Sequence, residues 1–299
     1  MENQFCLAVL EKNIAVDGIT EQLLSNLKSS IEFSEIEQLS SSDVVISQHK
    51  LLLKITSYSD FDCLQNKLQD LSHQLTIDLI LKPWTEKNIN PRLLIMDMDS
   101  TLVQAETIDE IARIAGVGDK VAEITESAMR GELDFTESLI ARVSMLKGIS
   151  VEMLAKVHDC LPLTEGAICL LQKAKENHCH TALVSGGFTL FAGPIAEQLF
   201  FDTLSANTLE IENNRLTGKV SGKIVDGESK LHTLKHLQQQ LGINPSQIVA
   251  IGDGANDLPM LAAAGTGIAF HAKPKVQQLA KTILNFNNLD AVRWLLNWE

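Results

Sequence analysis

Short apolar runs that end in acidic or small polar residues constrain the fold of this chain more than any other feature. Their sequences are RLLIMD from Arg92, TALVSG from Thr181, DTLSAN from Asp202 and QIVAIGDG from Gln247. Amphipathic helical stretches such as TEGAICLLQKAKEN lie between them, an arrangement typical of parallel strands that helices cover on both faces. We therefore predict an α/β fold with a Rossmann-like parallel sheet, whose ligands gather at the carboxyl ends of the strands.

The first 82 residues follow a different rhythm. Their apolar periods run strand, helix, strand, strand, helix, strand, which predicts a βαββαβ ferredoxin-like domain. The segment KPWTEKNINPR at residues 82–92 combines two prolines with polar residues and is typical of a linker. The predicted domains span residues 1–85 and 92–299.

A long insert follows the first strand of the predicted sheet. Residues 106–161 are helical by period and contain no strand-like run. Because this insert is too long for one crossover helix, we predict a separate helical cap over the edge of the sheet. Further along, TLEIENNRLTGKVSGKIV alternates polar and apolar residues around Asn213 and Asn214, which predicts a β-hairpin.

The charge balance argues against a polyanionic partner. The formal net charge is -13 with a pI of about 5.1, and no cluster of Lys and Arg interrupts this acidity, so nucleic acid is not expected. No apolar run reaches membrane-spanning length, and the first residues lack the layout of a signal peptide. The five cysteines form no Cys-x-x-Cys pair, which favours a cytoplasmic setting over a disulfide framework.

Three of the predicted strand ends carry groups suited to phosphate and a hard cation. Asp97 and Asp99 follow the first strand, Ser185 and Gly186 the second, and GDGAND the last. Mg²⁺ prefers carboxylate and phosphate oxygens, and backbone N–H groups in turns bind anions. An isolated Asp-x-Asp is more often a solvated turn or a helix cap, but the three ends together predict a site for Mg²⁺ and a phosphoryl group.

These motifs resemble those of a known group, the haloacid-dehalogenase-like phosphatases. Residues 97–101, DMDST, match the first motif of that group, Asp-x-Asp-x-Thr. Within the group the resemblance extends to the phosphoserine phosphatase family, through DMDSTLVQAETIDEIA, AMRGELDFTESL, VSGGF and AIGDGANDLPM in order and spacing. It covers residues 93 to about 284 and leaves out the N-terminal domain.

The resemblance implies roles for the acidic residues. Asp97 would be the nucleophile that forms an aspartyl phosphate. Mg²⁺ would be bound by the carboxylate of Asp97, the backbone carbonyl of Asp99 and the carboxylate of Asp253, with Asp257 close by as support. Asp99 would protonate the leaving alkoxide and then deprotonate the attacking water.

The resemblance also implies a phosphate-binding set. Ser185 and the N–H of Gly186 would bind phosphoryl oxygens. Lys230 would offset the charge that develops during transfer, and Asn256 would orient the substrate. Such positioning and electrostatic groups supply most of the catalysis in phosphoryl transfer.

Selectivity is expected from the cap. By resemblance, Glu106 would bind the ammonium group of phosphoserine and Arg142 its carboxylate. Met129 and Phe135 would form an apolar wall that excludes water. Each residue has a plainer alternative, since Glu106 and Arg142 would otherwise be surface charges and Met129 and Phe135 cap core.

The implied reaction is the Mg²⁺-dependent hydrolysis of O-phospho-L-serine to L-serine and phosphate through an aspartyl phosphate, the last step of serine biosynthesis. Two alternatives stay open on the same fold: another small phosphomonoester as substrate, or an acceptor alcohol other than water. A signalling receiver, in which the aspartyl phosphate persists, is disfavoured because an acid–base group at Asp99 would promote its hydrolysis.

The N-terminal domain is similar to an ACT domain in its βαββαβ order and in VDGITEQLL at residues 16–24. That similarity implies either a regulatory site that binds an amino acid, or an appendage that stabilises the protein or forms a homodimer through this domain, and these alternatives stay open. Shorter patterns elsewhere favour structural roles. GKVSGK at residues 218–223 lacks Walker spacing, and HCH at 178–180 is typical of a helix-to-strand turn. His271 is expected in a loop or in a supporting role beside the site, and Lys273 and Lys275 are expected to be solvated.

Overall fold

The structure is a computed structural model that describes residues 3–10, 25–27, 29, 35–38, 50–83, 90–130, 132–158 and 161–298. The side chains at 35–38, 50, 51, 129, 155, 156 and 158 are outside the description. The strands are β1 Asn3–Leu10, β2 Glu35–Gln38, β3 Lys50–Ser57, β4 Asp78–Pro83, β5 Leu93–Met96, β6 His180–Phe188, β7 Thr203–Glu212, β8 Arg215–Ser221, β9 Ile248–Gly252, β10 Thr266–Phe270 and β11 Thr282–Leu284. The helices are α1 Phe61–Leu75, α2 Thr107–Ile114, α3 Gly118–Met129, α4 Phe135–Met145, α5 Val151–His158, α6 Ala167–Glu176, α7 Thr189–Gln198, α8 Gly227–Leu241, α9 Leu258–Ala263, α10 Pro274–Gln277 and α11 Asp290–Leu295.

The larger sheet has the strand order β11-β10-β9-β5-β6-β7-β8 and is parallel from β11 to β7. Strand β5 lies between β9 and β6, with Met96 opposite both Ile251 and Leu183. The carboxyl ends of these three strands therefore meet at one edge of the sheet. This confirms the predicted parallel α/β core, although the sequence analysis did not predict the short β11 or α11.

Alternation along β5 explains why its residues are apolar throughout. Leu94 and Met96 belong to one hydrophobic cluster and Leu93 and Ile95 to another, and all four are fully buried. Successive side chains of a strand point to opposite faces. A strand between two helical layers must therefore be apolar on both faces, which fixes the backbone that delivers Asp97 to the sheet edge.

Helices α2 to α5 form the insert between β5 and α6, as the sequence predicts. Two short segments join this cap to the sheet. The N–H of Gln104 donates to the carbonyl of Pro162 at 2.9 Å, and the N–H of Thr164 donates to that of Leu102 at 2.9 Å. The cap thus enters and leaves through a paired hinge beside the end of β5.

The predicted hairpin is formed by β7 and β8, which pair antiparallel. Asn213 and Asn214 have φ values of 49° and 62° at its turn, the left-handed conformation that short hairpin turns require. Strand β8 also pairs with the cap, because Leu216 donates to Ile149 and accepts from Gly148, both at 2.8 Å. The cap therefore has a second attachment to the sheet besides its hinge.

The N-terminal strands form an antiparallel sheet in the order β2-β3-β1-β4. One face packs on α1 through residues such as Leu53 and Leu68. The other face, which includes Ala8 and Ile80, joins the main hydrophobic cluster of the larger domain. The two sheets therefore share a core.

The first two residues of the predicted linker belong to a strand. Lys82 and Pro83 are the last residues of β4, and Pro83 pairs with Phe5. A proline is tolerated here because β4 is an edge strand of its sheet. Residues 84–89 lie outside the described part. Among the described residues, every helix is too short or too polar to cross a lipid bilayer.

Candidate active site

Three carboxylates from two strand ends meet at the edge of the larger sheet. Asp97 follows β5, while Asp253 and Asp257 follow β9, and one oxygen of each lies within 4.8 Å of the others. All three side chains are buried. Carboxylates at this spacing repel one another unless a cation lies between them, and a set of oxygen donors suits a hard cation such as Mg²⁺.

A buried lysine neutralises part of this cluster. Lys230 comes from the first turn of α8, and its Nζ lies 2.7 Å from Asp97 Oδ1 and 2.6 Å from Asp257 Oδ1. Burial alone would lower the pKa of Lys230, but Asp257 and Asp97 raise it above the usual value. The lysine is therefore a fixed positive charge beside Asp97.

Asp257 has both of its carboxylate oxygens engaged in hydrogen bonds, whereas Asp97 has one. Asp257 Oδ1 accepts from Lys230, and Oδ2 accepts from the N–H of Gly254 at 3.0 Å. Asp97 Oδ1 accepts from Lys230 and from the N–H of Met98 at 2.8 Å, which leaves its other oxygen for chemistry. Asp257 therefore orients Lys230 and the loop after β9.

Crowding and burial raise the pKa values of the acids. Burial is the main cause for Asp253, whose pKa rises to about 7 with further contributions from Asp257 and Glu106. Burial and then Asp257 also raise the pKa of Asp97 well above its usual value. A bound divalent cation would favour the ionised form of both groups.

Asp99 occupies a separate environment. Its carboxylate accepts from the hydroxyl of Thr107 at 3.0 Å and from the N–H of Thr107 at 3.3 Å, so it lies outside the acid cluster. Burial, and then the charge of Glu106, raises the pKa of Asp99 to about 8. A carboxyl group that is protonated near neutral pH can donate a proton to a leaving group.

Ser185 and Gly186 are predicted to follow the end of a strand, but β6 continues through them and Gly187 to Phe188, and its pairing with β7 shifts there in a bulge. The bulged segment of Ser185, Gly186 and Gly187 is called the phosphate turn below. Ser185 is fully buried, and its Oγ accepts the N–H of Gly187 at 2.8 Å. A Cβ on Gly187 would lie 2.6 Å from Asp99 Oδ2, so only glycine allows this turn to approach the acid.

The cap closes over this turn through Phe135. A Cβ on Gly186 would lie 2.9 Å from Phe135 Cζ and 3.8 Å from Asn256 Nδ2. Phe135 is the first residue of α4, and the capping box of Asp134 and Glu137 fixes its helix start. The structure therefore brings a cap residue and a residue of the GDGAND loop to the same glycine.

The two charged cap residues lie at the start of α2 and on α4. Glu106 precedes α2 and accepts a hydrogen bond from Ser100 Oγ at 2.9 Å. Arg142 lies on α4, where its Nε donates to the carbonyl of Ser138 at 3.3 Å. Both charges act on the pKa of Asp109, which burial and Glu106 raise and Arg142 lowers. The Met129 side chain is outside the described part of the structure.

Thr107 and Asn207 are not among the site residues predicted from the sequence. Thr107 holds Asp99 and begins α2 within the quoted TIDEIA stretch. The sequence feature that could have identified Thr107 is its position directly after Glu106. Asn207 donates a hydrogen bond to the carbonyl of Gly186 at 2.8 Å. It ends the run DTLSAN, but no local pattern predicts this role because the contact joins neighbouring strands.

Comparison with known proteins agrees with this geometry. The family model for haloacid dehalogenase-like hydrolases matches residues 94–262. A phosphoserine phosphatase of Haemophilus influenzae is 45% identical over 247 residues, which cover 83% of this chain and 76% of that protein. A phosphoserine phosphatase of Archaeoglobus fulgidus is 44% identical over 75% of this chain and 65% of that protein.

Solved structures of the same family are also similar to this chain. A hydrolase of the haloacid dehalogenase family from Salmonella enterica serovar Typhi superposes with a TM-score of 0.85 at 31% identity, covering 98% of both chains. A structure described as a phospho-aspartyl intermediate analogue of phosphoserine phosphatase matches with a TM-score of 0.64 at 40% identity, over 68% of this chain and 97% of that one.

The parallel sheet and its buried acids define a haloacid dehalogenase-like hydrolase. Within that group the chain belongs to the phosphoserine phosphatases, which are phosphoric monoester hydrolases.

Proposed function

We propose that this chain hydrolyses O-phospho-L-serine to L-serine and phosphate in a Mg²⁺-dependent reaction with an aspartyl-phosphate intermediate. The observation that carries this proposal is the convergence of Asp97, Asp253 and Lys230 at one edge of the sheet, with Gly187 packed against the neighbouring Asp99. We infer further that the reaction is the last step of serine biosynthesis and takes place in the cytoplasm.

The acidic cluster supports a metal site. The carboxylates of Asp97 and Asp253 and the backbone carbonyl of Asp99 would hold Mg²⁺, and Asp257 would support the site through Lys230. The ion supplies charge neutralisation between the anionic nucleophile and the anionic ester.

The first chemical step uses the free oxygen of Asp97. It forms a bond to phosphorus while the bond from phosphorus to the serine oxygen breaks. Asp99 gives its proton to the departing oxygen, which its raised pKa permits. Lys230, held within 2.7 Å of Asp97, offsets negative charge on the transferring group.

The second step releases phosphate. A water molecule attacks phosphorus, Asp99 takes its proton, and the bond from phosphorus to Asp97 breaks. Ser185 and the N–H of Gly186 bind phosphoryl oxygens in both steps, while Asn256, beside Gly186, orients the substrate.

Selectivity for an amino-acid ester rests on the cap. Glu106 would bind the ammonium group and Arg142 the carboxylate, and Ser100 holds Glu106 in place. Phe135 closes over the phosphate turn, and Met129 would complete the apolar wall. Water is thereby excluded while the nucleophile reacts.

A substrate panel with and without a chelator tests the proposal. Phosphate release is measured from O-phospho-L-serine and from a sugar phosphate, in Mg²⁺ and in excess EDTA. We expect turnover of phosphoserine only with Mg²⁺ and a much lower kcat/KM for the sugar phosphate. Equal turnover of the two esters would contradict the proposed selectivity, and full activity in EDTA would contradict the metal.

We infer that the N-terminal domain at residues 1–85 has one of two roles: it binds L-serine, or it forms the contact in a homodimer. Two measurements on the full chain distinguish these roles. Calorimetric titration with L-serine gives the number of binding sites, and light scattering gives the mass of the protein in solution. A second equivalent of L-serine that persists in Arg142→Ala supports a regulatory site. One equivalent together with a dimeric mass supports the contact role.

A further inference from the structure

We propose that Asn207 is a positioning residue for phosphate binding, which holds the turn of Ser185, Gly186 and Gly187 with its donors facing the phosphoryl group. The inference deepens the proposed function and rests on it, because it concerns the same phosphate site. Asn207 lies on β7 and is 1% exposed.

The pairing between β6 and β7 is interrupted at this turn. Val184 pairs with Ser205 and Phe188 with Asn207, so the residues 185–187 of β6 stand opposite a single residue of β7. Such a bulge removes backbone groups from the ladder between the strands. The buried groups that it releases must find other partners.

The side chain of Asn207 replaces one of the lost ladder bonds. Its Nδ2 donates to the carbonyl of Gly186 at 2.8 Å, and its Oδ1 accepts the N–H of Val225 at 2.8 Å. These partners fix the orientation of the amide, because a carbonyl only accepts and a backbone N–H only donates.

Holding the Gly186 carbonyl orients the peptide unit that contains the N–H of Gly187. That N–H donates to Ser185 Oγ at 2.8 Å. Ser185 is the acceptor in this bond, so its hydroxyl hydrogen is not used by it and can be donated to a phosphoryl oxygen. Asn207 thereby positions Ser185 without touching the substrate itself.

The second bond of Asn207 connects the turn to the lysine. Val225 directly precedes Asp226, which caps α8 by accepting the N–H of Ser229 at 2.8 Å. Lys230 lies in the first turn of that helix. One buried amide thus links the two parts of the phosphate site that come from β6 and α8.

The test compares Asn207→Ala with Asn287→Ala. Asn287 is also a buried asparagine, with amide bonds to Leu10 and Asp78, but it lies at the contact between the domains. For each variant and the wild type, inorganic phosphate and L-serine are titrated calorimetrically in Mg²⁺, and the melting temperature and kcat/KM for phosphoserine are measured.

We expect Asn207→Ala to weaken phosphate binding roughly tenfold, because a misplaced Ser185 would lose one hydrogen bond to phosphate, which is worth about that factor. Binding of L-serine should stay within about twofold of the wild type. Its kcat/KM should fall by roughly a hundredfold through misplacement of the turn. Asn287→Ala should lower the melting temperature while both affinities stay unchanged.

Equal weakening of phosphate and L-serine, or the same loss of phosphate affinity in Asn287→Ala, would overturn the proposal. If Asn207→Ala does not fold, Asn207→Ser takes its place, and wild-type phosphate affinity in that variant overturns it. The phosphate titrations do not depend on turnover. An inactive wild type that binds phosphate would therefore contradict the proposed function without contradicting the role of Asn207.

Discussion

At the scale of single residues, the site separates two nearby aspartates by their surroundings. Asp97 contacts Lys230 and lies among the clustered acids, whereas Asp99 is held by Thr107 beside Glu106. Burial and the neighbouring Asp257 raise the pKa of Asp97, so its charged, nucleophilic form depends on Lys230 and on a bound cation. The surroundings of Asp99 favour a carboxyl group that carries a proton.

Replacing Asp97 with Asn should reduce kcat for phosphoserine by on the order of a thousandfold or more, because an amide is a poor nucleophile toward phosphorus. The change is nearly isosteric, so the circular dichroism spectrum should stay the same. Phosphate release assays measure the loss. Activity near the wild-type value would rule out a covalent route through this residue.

Replacing Arg142 with Ala should lower kcat/KM for phosphoserine by roughly a hundredfold, the value of about 2–3 kcal/mol for a charge-assisted hydrogen bond. O-phosphoethanolamine, which lacks the carboxylate, should lose little. Arg130→Ala is the matched control, since Arg130 is an exposed cap arginine paired with Glu132. Equal losses with both substrates would place Arg142 outside the substrate site.

Metal affinity should depend on pH through Asp253. A proton and Mg²⁺ compete for this carboxylate, whose pKa without metal is about 7. The apparent Kd for Mg²⁺ should therefore rise as the pH falls through 7, about tenfold per pH unit for the proton on Asp253, and more steeply where Mg²⁺ also displaces a proton from Asp97, whose pKa is raised as well. Calorimetry from pH 5 to 9 measures this, and a Kd independent of pH would show that no proton is displaced.

At the scale of secondary-structure elements, the hairpin of β7 and β8 connects the sheet to the cap. Its β8 strand exchanges backbone hydrogen bonds with the segment after α4, the helix that carries Phe135 and Arg142. Arg215 adds a bond from its guanidinium to the carbonyl of Gly148 at 2.7 Å. The hairpin therefore limits how far α4 can move relative to the sheet.

Gly218→Ala should raise KM for phosphoserine several-fold. Gly218 has a φ of 84°, and a Cβ there would lie 3.1 Å from Lys147 Cβ and 3.2 Å from the carbonyl of Ser144, so the hairpin must shift from the end of α4. Gly222→Ala is the control, because Gly222 has a φ of 79° and nothing within 4 Å of its Cβ position.

Both glycine variants should lose roughly 1–2 kcal/mol of stability from left-handed backbone strain. Only Gly218→Ala should also change KM, as steady-state kinetics would measure. The same KM in both variants would mean that the hairpin contact does not position α4.

At the scale of the whole molecule, a buried carboxylate joins the two domains. Asp78 accepts backbone N–H groups from Asn285 at 2.7 Å and Asn287 at 3.0 Å, and also the amide of Asn287 at 2.7 Å. Gln65 adds a bond to the carbonyl of Ala280 at 3.1 Å. These contacts surround the shared apolar core and fix how the N-terminal sheet sits on the larger domain.

Asp78→Ala should destabilise this contact by about 3 kcal/mol, because buried donors lose their acceptor. Calorimetric unfolding should then show the two domains melting separately. The control is Asp60→Ala, which removes the cap of α1 within the N-terminal domain and leaves the contact intact. A single transition in Asp78→Ala, at the wild-type temperature, would contradict this role.

The sequence by itself determined the parallel core, the helical insert, the hairpin and the acids at the strand ends. Apolar period and turn chemistry are local properties, and residues such as Asp97 or Asn213 reveal them within a few positions. The glycines after Ser185 are also a local signal of a close approach, although β6 continues through them to Phe188 and does not end there.

Only the tertiary structure decided which groups touch across the fold. The contacts of Asn207 with Gly186, of Asp78 with the loop at Asn287, and of β8 with the cap each join segments far apart in sequence or on neighbouring strands. Their energy comes from satisfying buried polar groups, and the need for a partner arises only once the chain has packed.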